Sequence, residues 1–237
     1  MSALYLIDRP AVGEDDEENV VQGWDENRRD SLARIGFGAT AAIAFFGLLL
    51  AAIMAYPQTD GFFSEGWKRA LNTLAFFTNE SNLIVAITCV LLALNLDRRS
   101  TVFRAARFCG LVAITVTGVG YHWLLSETHH PEGWVSVWNI VLHYLVPIMA
   151  ASGFLLFGPR GLFSAQLITY VLGFIAAWGA FTLIRGSIVD WYPYPFVDVI
   201  EHGYGRVVVN AVGLTILCAA VGLLYVFLDR ALSKRAR

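Results

Sequence analysis

The stretch Ile35–Tyr56, I-G-F-G-A-T-A-A-I-A-F-F-G-L-L-L-A-A-I-M-A-Y, runs 22 residues without a charge. A helix needs roughly 20 mainly apolar residues to cross the hydrocarbon core of a bilayer. With its approach from Leu32, the stretch therefore reads as a membrane span. The same criterion along the chain gives six spans: Leu32–Tyr56, Ala70–Asn95, Phe108–Ser126, Trp134–Phe157, Leu162–Ile184 and Gly203–Leu228. Composition agrees. Of 237 residues 57% are apolar and 15% charged, where a soluble domain has about 25% charged. The charges collect in short clusters between apolar stretches, which excludes a soluble globule and a disordered chain. The expected fold is all-α, a polytopic six-transmembrane-helix bundle over residues 31–229.

The flanks differ in sign. Residues 1–34 hold nine of the 19 acids and four arginines, so residues 1–30 read as an acidic, disordered cytoplasmic tail with too little apolar content to fold. Residues 230–237 read as a short basic cytoplasmic tail. Thirteen of the 17 Lys and Arg residues fall in the two tails and the 2–3 and 4–5 connections. The positive-inside rule then places both termini in the cytoplasm of an inner cell membrane. Trp67, Trp123, Trp134, Trp191, Tyr192 and Tyr194 cluster near the opposite, outer interface, where amphipathic rings favour the headgroup level. The acidic N-terminus lacks a basic region followed by a short apolar core, so no cleavable signal peptide is expected. No basic patch with exposed aromatics suggests nucleic acid. Cys89, Cys109 and Cys218 lie in apolar segments without C-x-x-C spacing, against a disulfide framework or a cysteine zinc site.

Inside the second span stands Thr78-Asn79-Glu80-Ser81-Asn82, five consecutive polar residues. Counted from Lys68, Thr78 lies about 15 Å deep at 1.5 Å per residue. Glu80 is the one carboxylate at such depth, where insertion costs at least about 2.5 kcal/mol. Thr78, Ser81 and Asn82 share one arc of a helix, Glu80 points to the far side, and Asn79 lies between. No lipid-facing stripe can hold this run. It is buried in the bundle, bonded to neighbouring helices, or unwound around a cavity.

The fourth span carries Ser136, Asn139, His143 and Pro147 on one helical face. Pro147 has no N–H for the His143 carbonyl, which predicts a kink. Counted from Glu132, His143 lies about 16 Å from the outer interface, matching Thr78. A threonine hydroxyl becomes a nucleophile when a base takes its proton, and histidine is the usual base. Thr78 and His143 are the candidate pair, with Asn139 to orient the ring and Ser81 or Asn82 to donate to an oxyanion. The competing reading of a lone intramembrane histidine is an interhelical hydrogen bond.

Elsewhere the signals are weaker. His122, His129, His130 and His202, with Glu127, Asp190, Asp198 and Glu201, match no zinc spacing, and neither metal nor cofactor is expected. Asp190–Asp198, D-W-Y-P-Y-P-F-V-D, is a stiff, aromatic connection that could cap a cavity or anchor at the interface.

Three motifs, F-T-N-E-S-N-L-I-V from Phe77, L-H-Y-L-V-P-I from Leu142 and W-Y-P-Y-P-F-V-D from Trp191, resemble a family of small bacterial six-span integral membrane proteins of uncharacterised function. The likeness covers roughly residues 35–228. That family is distantly similar to the androgen-induced family of eukaryotic membrane proteins, threonine hydrolases that cleave fatty acid esters of hydroxy fatty acids. The resemblance implies Thr78 as nucleophile and His143 as base, with Glu80 standing where an uncharged residue would be expected. The leading expectation is an intramembrane Thr/His hydrolase of fatty-acid esters, acting on a membrane lipid or lipid-like substrate. The alternatives are a transporter or small-ligand-binding protein built on Glu80 and Asn82, or a catalytically silent relative.

Overall fold

The structure, a computed structural model, describes residues 14–59, 62–126 and 131–235. It is all-helical, with no strand among the described residues, and six of its helical segments are long and apolar enough to cross a membrane. In chain order these are α1 (Glu14–Ala55), the short α2 (Gly66–Asn72), α3 (Phe77–Leu94) and α4 (Thr101–Gly120), then α5 (Gly133–Ile140), α6 (Val146–Phe157), α7 (Ile168–Val189) and α8 (Val199–Arg235). A π-turn, Tyr121–Leu125, extends α4, and a second, Val141–Leu145, joins α5 to α6 into the fourth span. The architecture is that of a multi-pass membrane protein.

Burial follows the apolar periodicity. On α1, Ala33, Phe37, Ala41, Ala44 and Ala51 are buried, a stripe at helical spacing that packs on α3. Helices α3 and α4 form the centre, with 56% of their most apolar windows buried against 22% for α8. Helix α8 is therefore a peripheral element that leaves most of its apolar surface outward. Its polypeptide turns sharply at Gly203, where φ is 71°, a conformation glycine adopts without the Cβ clash of other residues.

Several boundaries depart from the sequence reading. Helix α1 begins at Glu14, so much of the stretch expected to be a disordered tail continues the first span; its sequence opens with five acids, the residue type favoured at a helix N-terminus. Residues 1–13 lie outside the described residues. Helix α8 carries the basic tail through Arg235. The third span starts at Thr101 rather than Phe108, because the Ser100 hydroxyl caps the helix by accepting from the Phe103 N–H (3.3 Å). Arg104 and Arg107, counted as loop residues, thus lie within α4. Arg107 is 1% exposed, stacked against the Phe37 ring (5.4 Å) and donating to Cys89 Sγ (3.4 Å).

The second span is broken. After α2 comes a 3₁₀ turn, Thr73–Ala75, then Phe76 in extended conformation (φ −80°, ψ 130°), and α3 starts at Phe77. Non-helical backbone at membrane depth is tolerated only where its freed polar groups find partners. Here the Thr73 carbonyl accepts from Asn79 Nδ2 (2.7 Å) and the Ala75 carbonyl from Trp178 Nε1 (3.1 Å). The depth of Thr78 therefore does not follow from counting turns of one continuous helix. The polar run sits at a helix N-terminus.

Candidate active site

Thr78 is the second residue of α3, and its backbone N–H is one of the first-turn donors that no carbonyl within the helix can satisfy. It donates instead to the Tyr194 hydroxyl (3.1 Å). The same tyrosine oxygen lies 3.1 Å from Thr78 Oγ, and Thr78 Oγ lies 3.2 Å from His143 Nε2. Thr78 and His143 are 6% and 7% exposed, so the contact is almost dry. The structure brings together the two residues that matching depths had paired.

The bonding partners fix the direction of the chain. His143 Nδ1 lies 3.0 Å from the Asn139 carbonyl oxygen, and a carbonyl can only accept. The proton is therefore on Nδ1, and Nε2 presents its lone pair to Thr78. Thr78 Oγ–H donates to Nε2, which leaves Thr78 Oγ to accept from the Tyr194 O–H. The direction runs Tyr194 to Thr78 to His143 to Asn139.

Local structure sets each member. His143 sits in the π-turn before Pro147, the residue that cannot return an N–H to the His143 carbonyl. The expected kink takes the form of this widened turn, a feature often found at functional sites. Gly47 of α1 lets it come close; a Cβ there would lie 2.7 Å from Leu142 and Val141 side-chain atoms. Tyr194 is delivered by the Asp190–Asp198 connection. That segment is pinned where Tyr192 lies over Gly186, whose Cβ would fall 2.1 Å from the tyrosine ring. Phe76 and Phe196 flank the Tyr194 ring at 5.5 and 5.1 Å between centroids. Burial pushes the Tyr194 hydroxyl up to about 12, against the opposing pull of its bonds to Thr78, so it stays a neutral donor at any physiological pH.

The remaining expected site residues have different tasks. Asn139 orients His143 through its backbone carbonyl. Its side chain donates to the Tyr121 hydroxyl (2.6 Å), and the Tyr121 ring stacks on the imidazole at 4.0 Å. Ser81 Oγ donates to the Thr78 carbonyl (2.9 Å) and meets Thr117 Oγ1 (3.0 Å). Asn82 Nδ2 donates to the carbonyls of Thr78 (2.8 Å) and Leu142 (3.1 Å). Both brace the turn from behind and line neither cavity at Thr78, which leaves no geometric support for either as an oxyanion donor. Glu80 faces away, into a shallow groove shared with Lys68, Asn72 and Arg185. Glu80 and Asn82 therefore do not form one binding site.

Two residues were absent from the sequence-derived set. Tyr194 was signalled only by its place in the aromatic, proline-stiffened connection, and Tyr121, at the end of α4, by nothing local. Of the outer histidines, His122 lies beside the Tyr144 hydroxyl (3.4 Å). Glu127, His129 and His130 lie outside the described residues, among which no three His, Cys, Asp or Glu side chains converge on a metal position.

Two cavities meet at Thr78, of about 510 and 340 Å³, both lined by Thr78, Tyr121, Leu125, His143 and Tyr194. The larger is walled also by Gln58, Phe62, Phe63, Asn72 and Phe76 and by the Trp191–Pro195 loop, the smaller by α4, α7 and α8. Compared with known protein families, curated proteins and solved structures, the chain matches none.

Proposed function

We propose that the protein is an intramembrane hydrolase of fatty-acid esters, with Thr78 as nucleophile and His143 as general base. The observation that carries this reading is the 3.2 Å contact between Thr78 Oγ and a His143 Nε2 whose lone pair faces it. This is the nucleophile–base–orienter arrangement of covalent acyl transfer, set where two cavities meet. The resemblance of the F-T-x-x-S-N and L-H-Y-x-x-P motifs to threonine hydrolases supports the same roles.

The chemistry follows from the bonds. As Thr78 Oγ attacks the ester carbonyl carbon, its proton passes to His143 Nε2, and the charge on the imidazole is stabilised by the Asn139 carbonyl on Nδ1–H. The negative charge develops on the substrate oxygen. The Thr78 N–H at the positive end of α3 and the Tyr194 O–H are the donors beside it. Collapse breaks the carbon–oxygen bond to the alcohol, which leaves with the proton from His143. Water then repeats the cycle: His143 takes its proton, hydroxide adds to the acyl-threonine, and the acid departs as Thr78 Oγ is reprotonated. The 13-to-4 distribution of basic residues supports termini in the cytoplasm, with this site opening outward.

Purified protein should label with a fluorophosphonate probe and hydrolyse members of an acyl-ester panel, both lost in Thr78→Ala. Absence of labelling and of Thr78-dependent hydrolysis across the panel would end this reading. Proton- or substrate-driven uptake into proteoliposomes, lost in Glu80→Gln and kept in Thr78→Ala, would replace it with transport.

A further inference from the structure

We infer that the two cavities divide the substrate, the smaller taking the fatty acyl chain between α4 and α8 and the larger a small, neutral, hydroxyl-bearing alcohol. The inference rests on the hydrolase reading and specifies its substrate: a single-chain acyl ester of a polyol-type alcohol.

Because Thr78, Tyr121, Leu125, His143 and Tyr194 line both spaces, an ester held at Thr78 Oγ projects its two halves into different surroundings. The smaller cavity is walled by Val116, Leu124, Trp178, Val209, Leu214 and Leu217. Its polar side chains are occupied elsewhere: Thr117 bonds Ser81, and Asn210 donates to the Phe196 carbonyl (2.8 Å). An alkyl chain gains about 25 cal/mol per Å² buried on such a wall and breaks no hydrogen bond. The entrance lies on the apolar outer surface of the bundle. Leu124 and Val209 are 65% and 66% exposed there, and a Cβ added at Gly120 or Gly213 meets nothing within 4 Å. Two glycines thus leave open a lateral path from bilayer to nucleophile.

The larger cavity has the opposite character. Of its polar side chains, Thr73 Oγ1, Asn72 Oδ1, Asn79 Nδ2 and Asn139 Nδ2 are bonded within the protein, while the Gln58 amide, Asn72 Nδ2, Asn79 Oδ1 and Asn139 Oδ1 remain as neutral donors and acceptors. Its one Lys or Arg side chain is Arg69, and that guanidinium is spent on the backbone, donating to the carbonyls of Ala55, Tyr56, Phe63 and Ser64. Among the described residues no other Lys or Arg lines it, and Arg185, behind the wall, is held on Asn72 Oδ1 (2.7 Å) and over the Trp191 ring, so neutral hydroxyls fit this lining better than an anionic alcohol half. After acylation the chain stays in the lipid-side cavity while the alcohol leaves by the other, where water replaces it.

The test uses the full chain in lipid nanodiscs. Monoacylglycerols of stepped chain length and a fatty acid ester of a hydroxy fatty acid are compared on wild type and Gly213→Phe. The neutral glycerol ester should be preferred by about tenfold or more, and the reverse preference overturns the alcohol assignment. In Gly213→Phe, long-chain hydrolysis should fall by about tenfold or more relative to short-chain; an equal loss at every length overturns the chain assignment. A second measurement needs neither turnover nor that variant. A fatty acid bearing a photoreactive diazirine at its methyl end is cross-linked to Thr78→Ala protein, and the tagged peptides are identified by mass spectrometry. Tags at residues 116–125 and 209–217 support the assignment, and tags confined to 58–76 or 191–195, or none, overturn it. If those α4 and α8 tags appear but no ester is hydrolysed, the hydrolase reading fails while the chain site stands.

Discussion

Both ends of this apolar bundle bury polar side chains, and they use them in opposite ways. At the arginine-rich end, charged groups are spent on backbone. Arg34 donates to the Ala93 and Leu94 carbonyls at the C-terminus of α3 (2.9 Å each), and Arg160 to those of Phe154 and Leu155 near the end of α6. Asp229 accepts from the Gly161 and Phe163 amides (2.9 Å each). Cations at helix C-termini satisfy orphan carbonyls and complement the helix dipole, so this end reads as a set of caps. At the Thr78 end side chains also brace backbone, but Tyr194, Thr78 and His143 bond side chain to side chain, and a nucleophilic hydroxyl is held between two cavities. Burial of polar groups alone does not mark a site. What marks it is a side-chain relay that ends on an atom a substrate can reach.

The comparison breaks if the Thr78 end behaves as another set of caps. The largest expected effect is on His143. Replacing a general base costs about 10²–10⁴-fold in rate, so His143→Gln should lose hydrolysis to that extent while thermal unfolding of the purified protein shifts little. A variant that unfolds without a separable loss in the folded fraction would make His143 a packing residue. Tyr194→Phe comes next. Loss of one donor to a developing oxyanion costs about 10²–10³-fold in kcat, and the change should fall on kcat rather than KM. Because burial holds the Tyr194 hydroxyl at about 12, ultraviolet titration in Tyr194→Phe should lose one of the tyrosines that stay protonated well above pH 10 in wild type. Hydrolysis should show no alkaline loss that Tyr194→Phe removes.

Much of this was legible in the chain. Long apolar runs gave six spans, and depth counting paired Thr78 with His143, although the 3₁₀ turn and the extended Phe76 before Thr78 mean that its depth is not a count of turns along one continuous helix. The break at Phe76 was not, since Leu71–Phe77 contains neither glycine nor proline. It is held by Trp178, 103 residues beyond Ala75, and by Asn79. Asn139 was legible as the residue that orients His143, but not that its backbone carbonyl does so rather than its side chain, because backbone carbonyls have no letter in a sequence. Counting charges placed Arg107 in a loop, whereas the Ser100 cap and the Phe37 ring carry it inside α4.

At the other end the expected effect is on stability alone. Asp229→Ala leaves the buried Phe163 amide without its acceptor, at a cost of about 1–3 kcal/mol. Thermal unfolding should move down, while kcat per folded molecule stays as in wild type. A fall in kcat with unchanged unfolding would mean that the two ends are coupled and that the contrast between them is wrong.

Glu80 tests how closely the site is bounded, and it should give the smallest effect of all. It is two residues from the candidate nucleophile in sequence, yet it faces the groove of Lys68 and Arg185. Its reach to the site is electrostatic: its negative charge is one of the influences that raise Tyr194. Glu80→Gln removes that charge and lets the Tyr194 hydroxyl fall slightly toward its ordinary value, making it a somewhat better donor to an oxyanion. Hydrolysis should therefore stay within about threefold of wild type, about 0.6 kcal/mol, and any change should be upward. The upward change should vanish in the Tyr194→Phe background, because the charge acts through that hydroxyl. A large loss of hydrolysis in Glu80→Gln would instead place the carboxylate within the reacting constellation, and the separation of the groove from the Thr78 cavities would no longer describe how the molecule works.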